Sequence, residues 1–197
     1  MDAKPFAPAC ERNRAPILGV LLTHFADCRT VLEVGSGTGQ HAVHFAAALS
    51  WLSWQCADLP QQLPGIRRWL DQADLANTPP PIALDVYGPW PSGHWDAVFS
   101  ANVLHIVDWP GVEAFFAGAG RVLASSGVLV VYGPFNEGGT YTSASNRDFD
   151  VWLKARDPGS GIRDVEAVQA LAAHAGLRAV EDVPMPANNR CLVWRRA

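Results

Sequence analysis

Thr30-Val31-Leu32-Glu33-Val34-Gly35-Ser36-Gly37-Thr38-Gly39-Gln40-His41 is the stretch on which the reading of this chain turns. Its first five residues form an apolar, β-branched run that stops at glycine, the pattern of a buried strand. Three alternating glycines follow, and an alanine-rich helical pattern covers about 40–49. Glycine at a strand-to-helix turn lets the backbone bend tightly and approach a ligand to van der Waals distance, beside the free N–H groups of a helix start. A dinucleotide fingerprint, Gly-x-Gly-x-x-Gly, asks for glycine or alanine at position 40. Gln40 stands there instead, which disfavours an NAD-binding oxidoreductase. Glu33, two residues ahead of the first glycine, repels a pyrophosphate and favours a sulfonium or ammonium ligand.

Outward from this loop the elements alternate. A helix near 14–26 precedes it. A strand through Trp54-Gln55-Cys56-Ala57 and a helical pattern around 61–73 follow it. Pro79-Pro80-Pro81 forbids a helix and opens the strand Ile82-Ala83-Leu84. The strand Trp95–Ser100 comes next, and then a helix that starts at Pro110 and ends near Leu123. Val128–Tyr132 is a continuous apolar run, as in a strand buried on both faces. Residues 134–162 are polar and long for a loop inside a compact domain, with a short amphipathic piece at Phe149, Val151, Trp152 and Leu153. A helix over 164–175 then leads to strands near 177–183 and 189–195, joined by Pro184–Asn188 as an antiparallel hairpin. This order predicts a mostly parallel sheet with helices on both faces and a ligand site at the carboxyl ends of the strands.

Two further acids fit such a site. Asp58 lies at the end of the second strand, in the place of a ribose-binding acid about 20 residues beyond a dinucleotide loop. Asp85 ends the third strand, where a carboxylate accepts the exocyclic amine of adenine. Each acid taken alone also fits an ordinary surface or capping role; it is their placement at successive strand ends that points to a nucleoside.

Residues 31–133 resemble a class I methyltransferase, and Val31–Gly39 matches that family's first motif. The resemblance implies a Rossmann-like three-layer sandwich with a seven-stranded sheet. It also implies S-adenosylmethionine as cofactor, S-adenosylhomocysteine as product, and methyl transfer as the activity. Ser100-Ala101-Asn102-Val103-Leu104-His105-Ile106 is similar to the segment after the family's fourth strand, with Asn102 at its polar position. Val103 after Asn102 departs from the Asn-Pro-Pro-aromatic signature of methyltransferases acting on bases or glutamine. The expected cofactor contacts are Glu33, Gly35, Ser36, Gly37, Thr38, Gly39, Gln40, His41, Asp58, Leu59, Asp85, Val86 and Asn102. Pro8–Arg14 and Tyr141–Asp150 resemble a small, mostly bacterial methyltransferase-like family, so the likeness covers nearly the whole chain.

Methyl transfer from a sulfonium is an in-line displacement in which alignment and exclusion of water supply much of the acceleration. If the acceptor carries a proton, His105 is the candidate general base, because it follows the fourth strand and an unperturbed imidazole titrates near neutrality. A structural hydrogen-bonding role fits this histidine equally well. The stretch 134–162 and the segment 8–14 are expected to cover the acceptor. Glu11, Arg12, Asn13, Arg14, Tyr132, Asn136, Tyr141, Asn146 and Arg147 are the substrate-facing candidates.

The 197 residues suit one domain, with 1–26 as N-terminal segment and helix. At 49% hydrophobic and 17% charged, the composition is that of a globular chain. Net charge is −4 and no cationic run exceeds two residues, which argues against nucleic acid as a partner and for a small molecule. No apolar run is long enough to span a bilayer and no signal-peptide pattern opens the chain, so the expected location is cytoplasmic. Cys10, Cys28, Cys56 and Cys191 are irregularly spaced and read as free thiols. His41 and His44, three apart on a helix, lack a third ligand, so no metal is expected. The competing reading is a cofactor-binding sensor or docking module without turnover. Oligomeric state is not legible.

Overall fold

The alternating pattern closes into one sheet flanked by helices in the computed structural model, which describes residues 4–197; residues 1–3 of the expected N-terminal segment lie outside it. The elements in chain order are α1 (Pro8–His24), β1 (Thr30–Val34), α2 (Gln40–Ala48), β2 (Ser53–Asp58), α3 (Leu63–Ala73), β3 (Ile82–Ala83) and β4 (Trp95–Ala101). Then come α4 (Trp109–Val122), β5 (Leu123–Asn136), α5 (Ala144–Arg156), β6 (Arg163–Asp164), α6 (Val165–His174), β7 (Leu177–Met185) and β8 (Asn189–Arg196).

The sheet runs β3-β2-β1-β4-β5-β8-β7. The first five of these strands are mutually parallel, while β8 is antiparallel to both β5 and β7. That is the expected architecture with one addition. The two-residue strand β6 pairs with the far end of β5 through Phe135↔Arg163 and Asn136↔Asp164, making eight strands among the described residues. Successive residues of a strand face opposite sides, and the core divides accordingly. Val31 of β1 with Val128 and Val130 of β5 packs under α1, α2 and α3, around Phe45, Trp54 and Phe99. Leu32, Leu129 and Val131 pack under α4 and α6, around Phe115, Phe116 and Trp194.

Helix α1 begins six residues earlier than its periodicity predicts and continues through Pro16. An interior proline costs a helix about 3 kcal/mol, and tertiary bonds offset it. Gln40 accepts from the Ala7 N–H (2.6 Å) and donates to Glu11 (3.2 Å), and Asn13 pairs with His41 (2.7 Å). The segment 134–162 is likewise more ordered than a loop. Ser143 caps α5 by accepting from the Asn146 N–H at 3.0 Å. The buried Asp150 carboxylate accepts from Tyr141 Oη (2.7 Å), Lys154 Nζ (2.6 Å) and the Ile162 N–H (2.6 Å), fastening α5 to the chain that follows it. The four cysteines are free thiols. No helix among the described residues is long and apolar enough to cross a membrane.

Candidate functional site

The chain runs outward from β1 to β2 and β3, then returns to place β4 on the other side of β1. The crevice this reversal leaves at the strand ends is where open α/β sheets take ligands. A cavity of about 480 Å³ lies there, walled by the ends of β1, β2 and β4 and by the segment that follows β3. Gly35 (φ +76°) and Gly37 (φ +57°) form its floor in left-handed conformations that side chains rarely adopt. A methyl group on Gly35 would lie 2.3 Å from Val103 Cγ2, whereas nothing stands within 4 Å of the corresponding point at Gly37. One glycine thus permits close packing beneath the cavity, and the other keeps the backbone open to it.

Asp58 and Asp85 both line the cavity. Asp58 accepts from the N–H groups of Gly37 (2.6 Å) and Leu59 (2.7 Å). Burial pushes its carboxyl above the ordinary range, and these two donors oppose the rise. Asp85 accepts from the Tyr87 N–H at 3.1 Å. Leu59, Val86 and Asn102 complete the expected set on the walls. Sequence reasoning missed Gln62, Tyr87, Val103 and Ile106, which also line it. Tyr87, whose hydroxyl hydrogen-bonds Asp108, stands two residues beyond Asp85, so proximity to that acid was an available signal.

The remaining loop residues do not reach the cavity wall. Glu33 is 1% exposed and accepts from Trp54 Nε1 at 3.1 Å. Strand alternation, which puts Glu33 on the face of Val31, could have revealed this. Burial pushes its carboxyl up to about 7 against the hydrogen bonds of Trp54, Ser36 and Cys56. Ser36 bonds the Glu33 carbonyl and the Ala57 N–H, and Thr38 bonds Gln40. Gly39 lies against Ile66 of α3. Gln40 and His41 hold α1, and burial pushes His41 down to about 4, so it is a neutral partner for Asn13.

A second cavity, of about 510 Å³, adjoins the first, and Asn102 lines both. Asn102 has φ +61° and donates its N–H to the Tyr132 carbonyl at 2.8 Å, so this position sits where β4 and β5 part. The second cavity brings together Arg12 and Asn13 from α1, Tyr132 from β5, and Asn146 and Phe149 from α5. Both segments expected to cover the acceptor therefore contribute walls, but not through every residue named. Glu11 and Arg14 pair with each other at 2.8 Å. The Tyr141 hydroxyl is held by Asp150, and Asn136 bonds the Ile162 carbonyl. Arg147 is exposed and pairs with Asp148.

The expectation of a near-neutral His105 is corrected. His105 is buried edge-on against Phe149 (ring centroids 5.3 Å) and lines neither cavity. Burial, reinforced by the Arg163 guanidinium, pushes it down to about 4. Arg163, unforeseen from sequence, donates to the carbonyls of Leu104 (3.0 Å), Val107 (2.5 Å) and Gly159 (2.8 Å), fixing the turn after β4.

A family model matches residues 4–196. The chain belongs to the family described as Protein of unknown function (DUF938). Solved structures of other proteins share its fold. An O-methyltransferase family protein from Burkholderia thailandensis superposes with a TM-score of 0.82 at 20% identity, over 96% of this chain and 57% of that one. An O-methyltransferase family 2 protein from Planctomyces limnophilus in complex with apigenin gives 0.83 at 18% identity, over 96% and 58%. PigF with SAH gives 0.79 at 17% identity, over 92% and 55%. The chain spans little more than half the length of these proteins. This member of the DUF938 family thus has the class I methyltransferase fold, with two adjoining cavities at the strand ends beside the glycine loop.

Proposed function

We propose that this chain is an S-adenosylmethionine-dependent methyltransferase acting on a small-molecule acceptor. The observation that carries the reading is the pair of adjoining cavities that share Asn102: one with a glycine floor and two carboxylates, the other walled by α1, β5 and α5 with a mixed lining of apolar and polar side chains. The residues of the first fit the cofactor. Asp58 can take two ribose hydroxyls, Asp85 the adenine amine, and the open backbone at Gly37 the methionine portion. Leu59, Val103 and Ile106 supply apolar surface that limits water around the reacting carbon. When bound, the sulfonium supplies an activated methyl group. The protein's part is to align an acceptor held in the adjoining cavity. The fold likeness to an O-methyltransferase family protein and to PigF with SAH supports the same assignment.

Calorimetric titration with S-adenosylmethionine, S-adenosylhomocysteine and NAD tests it. Saturable binding of both sulfur compounds and none of NAD is expected. Tight NAD binding without response to either sulfur compound would refute it.

A further inference from the structure

The second cavity has an unbalanced chemistry. Among the described residues of its walls Arg12 is the only charged side chain, with no carboxylate, lysine or histidine beside it. Arg12 is exposed, and no ion pair or hydrogen bond joins its side chain to another described residue. At neutral pH nothing on these walls takes up a proton. Arg12 stays charged, burial holds the Tyr132 hydroxyl protonated, and His105 stands outside the cavity behind Phe149.

Tyr132 supplies a hydroxyl to the same walls, and a neutral phenol has a proton to donate. Arg12 and Tyr132 together offer a cation and a neutral donor to an anion, beside the flat apolar ring of Phe149.

Building on the methyltransferase reading, we propose that this cavity receives a small organic carboxylate and that the carboxylate oxygen itself accepts the methyl group. A lone pair of that oxygen forms the new C–O bond while the methyl–sulfur bond breaks and its electron pair returns to sulfur. The products are a methyl ester and neutral S-adenosylhomocysteine, and the negative and positive charges cancel. No proton is removed, which matches walls that hold no base. An alcohol would have to lose a proton there, and an ammonium would face Arg12 with no counter-charge.

The test uses the full chain saturated with S-adenosylhomocysteine, titrated with benzoate, phenylacetate and hexanoate and, as controls, benzyl alcohol and benzylamine. The carboxylates should bind and the controls should not. Arg12→Gln, at an exposed position, should weaken carboxylate binding about tenfold or more with S-adenosylhomocysteine affinity unchanged; Tyr132→Phe should weaken it too. With methyl-labelled S-adenosylmethionine and the same acids, the transferred label should be released by base as methanol. Equal or tighter binding of the alcohol or amine, carboxylate binding indifferent to Arg12→Gln, or base-stable label each overturns the proposal. Wild-type protein that binds neither sulfur compound overturns the methyltransferase reading instead.

Discussion

Replacing Glu33 by glutamine should make the protein more stable above neutral pH while leaving it unchanged in acid. Glu33 is 1% exposed, and burial raises its carboxyl from the ordinary 4.5 to about 7. A carboxyl raised on folding binds its proton more tightly in the native than in the unfolded chain. Its favourable contribution is therefore complete below about pH 4.5 and is lost as pH rises through about 7. At ~1.4 kcal/mol per pH unit, that interval amounts to about 3 kcal/mol of stability lost by pH 8. Glutamine keeps an oxygen for Trp54 Nε1 and does not ionise. Its added N–H group stands where the carboxylate took hydrogen bonds from Ser36 and Cys56, so part of the gain is offset. Urea unfolding of both proteins at pH 5 and pH 8 measures the difference. The variant should be about 1–3 kcal/mol the more stable at pH 8 and near parity at pH 5. Parallel stability profiles across that range would refute the claim that Glu33 is held buried at the cost of its charge.

The Asp58→Ala variant should bind S-adenosylhomocysteine at least about tenfold more weakly by calorimetry, since charge-assisted hydrogen bonds are each worth ~1.5–3 kcal/mol. Its melting temperature should change little, because the freed Gly37 N–H is at an exposed bond that water can replace. Gly35→Ala combines a left-handed φ of +76° with a contact of 2.3 Å to Val103 Cγ2, so about 1–3 kcal/mol of stability should be lost in urea melts, with weaker cofactor binding. Unchanged stability would mean that Val103 yields freely. Arg147→Ala should alter stability by less than ~0.5 kcal/mol, because among the described residues its side chain pairs with exposed Asp148 alone, and a larger loss would assign it a contact beyond that pair.

The glycine loop, the order of elements along the chain and the strand-end positions of Asp58 and Asp85 were legible in the linear chain because local chemistry dictates them, and the place of Asn102 because its segment resembles the one after the fourth strand of class I methyltransferases. Positive φ calls for glycine at Gly35 and Gly37, apolar runs stop where strands leave the core, and the length of a strand-helix-strand unit fixes where the next strand ends. Which way a side chain at such an end faces was decided in three dimensions. Glu33 and Asp58 both end strands beside the loop, yet one turns beneath Trp54 and the other reaches the cavity. Long-range partners decided the rest. Asp150 ordered a polar stretch into α5, and Gln40 and His41 drew α1 through Pro16. A buried carboxylate or amide is costly until it is hydrogen-bonded, and for Asp150, Gln40 and His41 the deciding partners Ile162, Ala7 and Asn13 lie 12, 33 and 28 residues away along the chain, beyond the reach of local periodicity.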